Sequence, residues 1–377
     1  MIKLQYIFWN PNNFIFKIGS ISIMWYSLIM LLSFLAAKYI YIYVCKKEKK
    51  SIKNINLFIL YIIIFSLIGA RLGDVLLYNI NYYINNPIEV FLPIKIYPKL
   101  EFIGYRGLSY HGAIIGSIIG VYLNTNYNDK FKKNKILSIS NPIAFALLMG
   151  LFVRVGNFIN CEIIGIPTKE KYGILFAKEI IKEMKKNSKF IKNVKIGKIN
   201  IKIKNDKNYQ PIIIKVIFRK LKIQKKSIRK FFKKSIKYKL TNNNYINEHI
   251  KEKKKEKIFY TIKKEKEYVI KIETLCIPRH PVQLYESISY LMIFIIMFSI
   301  WKRRKIKNGI IASVIIITSY WLRFMCEFYK EPFNILFKKN NIIITIGHLL
   351  SIITVIIGIA FIIYLYYNKE KINKNEI

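Results

Sequence analysis

Residues 342–367 read IIITIGHLLSIITVIIGIAFIIYLYY, an apolar run broken by a single histidine. As a helix it is long enough to cross the ~30 Å hydrocarbon core of a bilayer, which takes about 20 residues. Outward from this run the chain repeats the pattern, with apolar stretches near 21–44, 56–78, 108–123, 141–158, 284–301 and 309–328. Three are imperfect, with Arg71 and Asp74 in the second, Arg154 in the fourth, and Arg323 and Glu327 in the sixth. Composition agrees with a membrane solvent, since 53% of residues are hydrophobic and only 23% charged. The sequence therefore predicts an all-α integral membrane protein with about seven transmembrane helices. The run at 21–44 starts late, is long and lacks a small-residue cleavage site, so it is expected to stay as an anchor, not to be removed as a signal peptide.

The short loops set an orientation, because cytoplasmic loops carry excess Lys and Arg. KKEKKSIK (46–53), DKFKKNK (129–135) and KRRKIK (302–307) belong on one side, while the loops at 81–106 and 330–341 are less densely basic. This puts the N-terminus outside and the C-terminus in the cytoplasm. A Lys-rich block without a span separates helices four and five, giving membrane parts at 1–180 and 276–377 and a large extramembrane insertion at 181–275. Within it VKIGKINIKIK (194–204) alternates as a strand does, and FRKLKIQKKSIRKFFKKSIKYKL (218–240) spaces its apolar residues like a basic amphipathic helix. A tolerated, partly disordered insert is the default reading; a surface gripping anionic lipid headgroups is the functional one.

The formal charge of +43 is weak evidence for nucleic-acid binding, because Lys is spread with Ile and Asn over the whole chain and the aromatics lie mainly in the spans. No nucleic-acid partner is expected. The four cysteines, Cys45, Cys161, Cys276 and Cys326, show no CxxC spacing or clustering, which supports neither a metal site nor a disulfide framework.

An ionisable side chain in a span costs about 2.5–3.5 kcal/mol on insertion scales, so it faces a cavity, a partner or a substrate. With the orientation above, Arg71, Arg154, Arg323, Glu327, His111 and His280 all fall toward the outer side. Arg323 and Glu327, four apart on one helix, could simply pair with each other. The densest stretch is VRVGNFINCEIIG (153–165), where Arg154, Asn157, Asn160, Glu162 and Gly165 decorate the end of an apolar helix. A snorkelling Arg and a helix-exit Gly account for two of these. The rest offer donors and acceptors suited to a headgroup, and guanidinium binds phosphate through a planar fork. A phospholipid in the lipid bilayer fits that description.

RVGNFINCEIIG, with YRGLSYHGAIIG (105–116) before it and RHPVQLYE (279–286) after it, resembles the prolipoprotein diacylglyceryl transferase family in order and spacing. The likeness extends from FKIGSISIMWYS (16–27) through ARLGDVLLYN (70–79) to LRFMCEFYKEP (322–332) and IGHLLSI (346–352). It implies a seven-helix enzyme of the bacterial inner membrane. Such an enzyme moves the diacylglyceryl group of phosphatidylglycerol to the lipobox cysteine in the signal peptide of a prolipoprotein, and releases glycerol phosphate without metal or cofactor. Carried over by motif, Arg154 resembles the lipid-binding arginine, His111 the essential histidine and Arg323 the second essential arginine. Asn157, Asn160, Glu162 and Gly165 match the signature; Tyr26, Arg71, His280, Gln283, Tyr285 and Glu286 match lesser motifs around the same pocket, and Glu327 follows Arg323. Asp74, Ser27 and His348 depart from the residues usual at their places.

A cysteine thiol of pKa near 8.5 is mostly protonated at neutral pH and needs a base. His111 is the expected base and His280 the alternative, with Arg154 and Arg323 stabilising the departing phosphate. A transporter or non-catalytic lipid-binding protein is the rival reading, because intramembrane Arg and Glu also mark substrate pathways.

Overall fold

The computed structural model describes residues 6–12, 14–18, 21–49, 55–77, 79–90, 94–95, 101–102, 109–127, 135–186, 191–198, 209–218, 246, 249–251, 258–262, 268–303, 309–339 and 342–374. Its helices are α1 (Trp25–Lys47), α2 (Ile55–Leu77), α3 (Ile80–Asn85), α4 (Tyr110–Tyr127), α5 (Lys135–Leu148), α6 (Leu151–Asn160), α7 (Lys178–Lys185), α8 (Val282–Arg303), α9 (Ile310–Glu327) and α10 (Ile346–Lys374). Among the described residues six stretches are long and apolar enough to cross a membrane: α1, Ile55–Leu76, Ile139–Asn160, α8, α9 and Ile346–Tyr367. Apart from Ile139–Asn160, half of which is buried, these stretches are mostly exposed, down to 11% buried in Ile346–Tyr367. Such surface is stable only in lipid, so the chain is a multi-pass integral membrane protein.

The expected third span, 108–123, falls in α4, whose stretch Gly112–Asn124 is apolar. The fourth forms as two pieces, α5 and α6, meeting at Met149 and Gly150. Loosened carbonyls at the break are taken by serines, Ser33 Oγ donating to Met149 O at 2.9 Å and Ser287 Oγ to Leu151 O at 3.1 Å. The first and last spans also start later than their apolar runs. Residues 21–24 and 342–345 are instead the second strands of hairpins, Phe14–Ile18 with Ile21–Met24 and Ile335–Lys339 with Ile342–Thr345. Apolar composition cannot separate strand from helix over four residues.

The chain divides into two compact units. One comprises Lys38–Ala146 and Lys305–Ala312, and in it α2 and α4 touch backbone to backbone. A Cβ on Gly69 or Gly112 would overlap the other's carbonyl, and one on Gly116 or Gly120 would strike Phe65 or Tyr61 carbonyls. GARLG (69–73) and GAIIGSIIG (112–120) are small-xxx-small seams of the kind that pack helices in lipid, where close approach replaces the hydrophobic drive. Buried Asn141 accepts from Gly309 N and Ala312 N, both at 3.3 Å, and so caps the start of α9, while its amide donates to Glu48 at 3.0 Å.

The other unit comprises Met1–Ala37, Leu147–Arg304 and Ser313–Ile377. Here the expectation of an all-α chain is corrected. The described residues between 191 and 276 form an antiparallel sheet whose main path runs β10 (Ile258–Ile262), β11 (Tyr268–Cys276), β8 (Gln210–Phe218), β7 (Ile191–Lys198), with β1 at Ile7–Trp9 and β6 at Ile174–Phe176. Alternate residues Val194, Ile196, Ile212, Ile214, Val216, Ile270 and Ile272 bury one face against α7, Tyr6 and Leu175. That is a core of its own, which a disordered insert would lack. The strand read at 194–204 exists over its first part; the basic helix read at 218–240 lies, after Phe218, outside the described residues.

The α2–α4 seam predicts that Gly112→Leu costs about 1–3 kcal/mol or more by overpacking. The same change at Gly197, where a Cβ meets nothing closer than 3.8 Å, should cost less. Thermal unfolding of the purified proteins in one detergent checks the order.

Candidate phosphate-binding site

Three chain segments are laced together where α6 leaves, α8 begins and α9 ends. Gly165 N donates to His280 O at 3.1 Å, His280 N to Ile166 O at 3.1 Å, Ile166 N to Tyr329 O at 2.9 Å and Glu331 N to Ile164 O at 3.1 Å. Gly165 is needed because a Cβ there would sit 2.7 Å from His280 Cβ and 2.8 Å from Tyr329 O. Its role is close approach of strands, not a helix exit. The turn before it is strained, with Cys161 at φ 59° and the β-branched Ile163 at φ 56°. Arg279, 2% exposed, lies beneath, donating to Gly165 O at 2.9 Å and pairing with Glu331 at 3.4 Å.

This lacing fixes the start of α8 and puts Glu286, one turn in, at the centre of a charge cluster. Its side chain is 1% exposed and meets Arg154 Nε at 2.8 Å, Lys330 Nζ at 2.8 Å and Arg323 Nη1 at 3.6 Å. Lys330 also pairs with Glu327 at 2.8 Å. Glu327 in turn accepts from Thr345 Oγ1 at 3.0 Å, and Gly347 leaves room for its carboxylate, which a Cβ would overlap. Three cations against two carboxylates leave one net positive charge in a largely desolvated place. Arg323 and Glu327 do not form the simple i,i+4 pair; each is turned to a different partner.

Around the cluster, Gln283 Nε2 donates to Glu162 O at 2.5 Å, and Asn160 Nδ2 to Glu162 Oε1 at 3.2 Å. Asn157 is buried in the last turn of α6, where its carbonyl takes Glu162 N at 2.9 Å. Gly156 admits the Tyr26 ring, whose Cδ2 would stand 3.0 Å from a Cβ there. His280 stands in an aromatic group, 5.1 Å between ring centroids from Tyr329, with Nδ1 3.0 Å from Tyr285 Oη. Burial lowers the His280 pKa below its usual 6.5, with nearby Glu170 opposing.

Two expected site residues belong to the other unit. Arg71 donates through Nε to Val90 O at 2.8 Å and through Nη2 to Glu89 O, with Tyr83 beneath it at 4.9 Å. It clamps the 3₁₀ turn Pro87–Val90, a structural task that the sequence does not reveal. His111 is the second residue of α4, and its side chain lies outside the described residues. Sequence reasoning missed Lys330 and Arg279, though YKEP after the sixth run and RHP before the fifth carry both. A lysine just past a span reads as a loop charge, and only the fold shows it turned inward. No His, Cys, Asp and Glu grouping among the described residues could hold a metal, and the four cysteines are buried and form no disulfide. Burial pushes the Cys276 thiol up to about 12.

The family model described as "Prolipoprotein diacylglyceryl transferase" matches residues 13–364. Among curated relatives, a protein of Chloroherpeton thalassium is 26% identical over 361 residues, covering 95% of this chain and 94% of the relative. One of Bacteroides fragilis is 26% identical with 96% of each chain covered. A Rickettsia typhi relative is 42% identical over 170 residues, 44% of this chain and 60% of its own length. Each carries the name phosphatidylglycerol–prolipoprotein diacylglyceryl transferase.

Removing the central carboxylate takes an ion-pair partner from Arg154, Arg323 and Lys330, of which Lys330 keeps Glu327, so Glu286→Ala should destabilise by about 3–5 kcal/mol, and Glu286→Gln by less. Thermal unfolding in detergent decides. His280 gives a pH prediction. Its folded pKa is depressed, so the unfolded chain binds the proton more readily, and the histidine's contribution is full above about pH 6.5 and is lost as pH falls through the folded value. The unfolding midpoint, measured from pH 7 to pH 5, should fall less steeply in His280→Gln than in the wild type.

Proposed function

The chain belongs to the prolipoprotein diacylglyceryl transferase family, and we propose that it transfers the diacylglyceryl group of phosphatidylglycerol to the lipobox cysteine of prolipoproteins, forming a thioether and releasing glycerol phosphate. The observation that carries the chemistry is the buried cluster of Arg154, Arg323 and Lys330 on Glu286 and Glu327, with its single net positive charge. A phosphodiester brings one negative charge, so binding neutralises the pocket. The leaving phosphate monoester carries more negative charge than the bound diester, so guanidinium forks in a dry site favour the transition state over the ground state.

In this reading Arg154 and Arg323 grip the phosphate, while Glu286, Lys330 and Glu327 hold the two guanidinium groups in place before the lipid arrives. Asn157, Asn160, Glu162, Gly165, Tyr26, Gln283 and Tyr285 shape the headgroup end. A base, His111 with His280 as the alternative, takes the thiol proton; sulfur attacks the glyceryl carbon bonded to the phosphate oxygen, and that C–O bond breaks. The neutral state that burial favours in His280 leaves it free to accept a proton, but Tyr285 already occupies Nδ1. The choice of His111 rests on its match to the SYHG motif. Arg71 holds the turn Pro87–Val90. We place the protein in the bacterial inner membrane, with seven spans counting α4, N-terminus outside, C-terminus cytoplasmic, and residues 181–275 between membrane parts 1–180 and 276–377.

Purified protein with labelled phosphatidylglycerol and a lipobox peptide tests this. Arg154→Ala and Arg323→Ala should each slow transfer by about 10²–10³-fold, and His111→Ala should abolish transfer while phosphatidylglycerol binding persists. Binding without transfer by the wild type would instead favour a lipid-binding or transport role.

A further inference from the structure

The sheet of the insertion carries a feature that neither the phosphate site nor the membrane spans explain. Its inner face is filled, but on its outer face Lys195, Lys215 and Lys271 stand directly opposite one another on the adjacent strands β7, β8 and β11. Lys195 and Lys215 are exposed and Lys271 half-buried. Like charges in register across strands repel and weaken a sheet. Among the described residues no ion pair joins these lysines to a carboxylate; the one acid on the neighbouring row, Glu273, is opposite Ile213. On β8 the half-buried Ile213 and Ile217 flank Lys215 on the same face. A basic row set among aliphatic side chains suits a surface that is anionic outside and apolar just beneath.

That surface is close at hand. Cys276 ends β11 and Val282 begins a membrane span, so the intervening chain reaches at most roughly 20 Å. An acidic patch would also match three lysines, but not the aliphatic Ile213 and Ile217 set among them. We infer that the row Lys195–Lys215–Lys271 docks the insertion on anionic phospholipid headgroups of the bilayer. The sheet face is then a lipid-reading surface separate from the catalytic pocket, enriching anionic lipid near the enzyme. Juxtamembrane lysines gain from such contact only within a Debye length, about 8–10 Å at physiological salt.

The test uses the full chain in nanodiscs of phosphatidylcholine alone or with phosphatidic acid, an anionic lipid that is not the donor, so that binding is read apart from transfer. Lysine acetylation is followed by mass spectrometry. Lys195 and Lys215 should react at least threefold more slowly in the anionic discs, relative to Lys186 on the same insertion, and 0.5 M NaCl should erase the difference. The triple variant Lys195→Gln, Lys215→Gln, Lys271→Gln should keep its fold, unfold a few degrees higher because the repulsion is gone, and retain its kcat while its KM for phosphatidylglycerol in mixed discs rises. Equal acetylation in neutral and anionic discs overturns the inference, as does slowing by soluble polyglutamate but not by lipid, which would make the face a site for an acidic protein. If transfer fails in every variant while the acetylation difference stands, the catalytic reading falls and the lipid-docking one remains.

Discussion

A buried carboxylate holding three cations is the constraint around which the rest is arranged. Glu286 is 1% exposed inside a span, where an unpaired charge would be prohibitive. Arg154, Arg323 and Lys330 satisfy it, and their excess charge creates a site for an anion. The same pairings hold the two arginines in register before any ligand enters, so less reorganisation remains for the moment of reaction.

Much of the surrounding backbone serves to keep that carboxylate where it is. The lacing of residues 164–166 with His280 and with Tyr329 and Glu331 ties the exit of α6 to the start of α8 and the end of α9, which are the elements bearing Arg154, Glu286 and Arg323. Gly165 permits the close approach, and the strained turn at Cys161 and Ile163 redirects the chain after α6. A second layer, Thr345 and Lys330 on Glu327, fixes the far side. Motif residues that look like ligands on paper therefore divide into those that bear charge into the pocket and those that hold its frame.

What the sequence revealed follows from which forces act locally. Spans are legible because a bilayer demands apolar length, and Arg154 and Arg323 are legible because charge in such a run has to be explained, whereas Glu286 is read only from the resemblance carried by RHPVQLYE. The four-residue strands at 21–24 and 342–345 were hidden inside apolar runs, because four apolar residues read the same in a strand as in a helix. Lys330 was invisible as a site residue because its role depends on a chain reversal three residues after Glu327. The sheet of the insertion was half legible: alternation marked β7, but its pairing with β8 and β11 is non-local, and the Lys195–Lys215–Lys271 row exists only in that register.

The central claim is that the pocket around Glu286 receives the phosphate of phosphatidylglycerol. The most direct measurement is an experimental structure of the protein in a nanodisc with that lipid bound. The account predicts phosphate density within hydrogen-bonding distance of both Arg154 and Arg323, with Lys330 still bridging Glu286 and Glu327. Phosphate bound elsewhere, with both arginines still committed to Glu286, would contradict it.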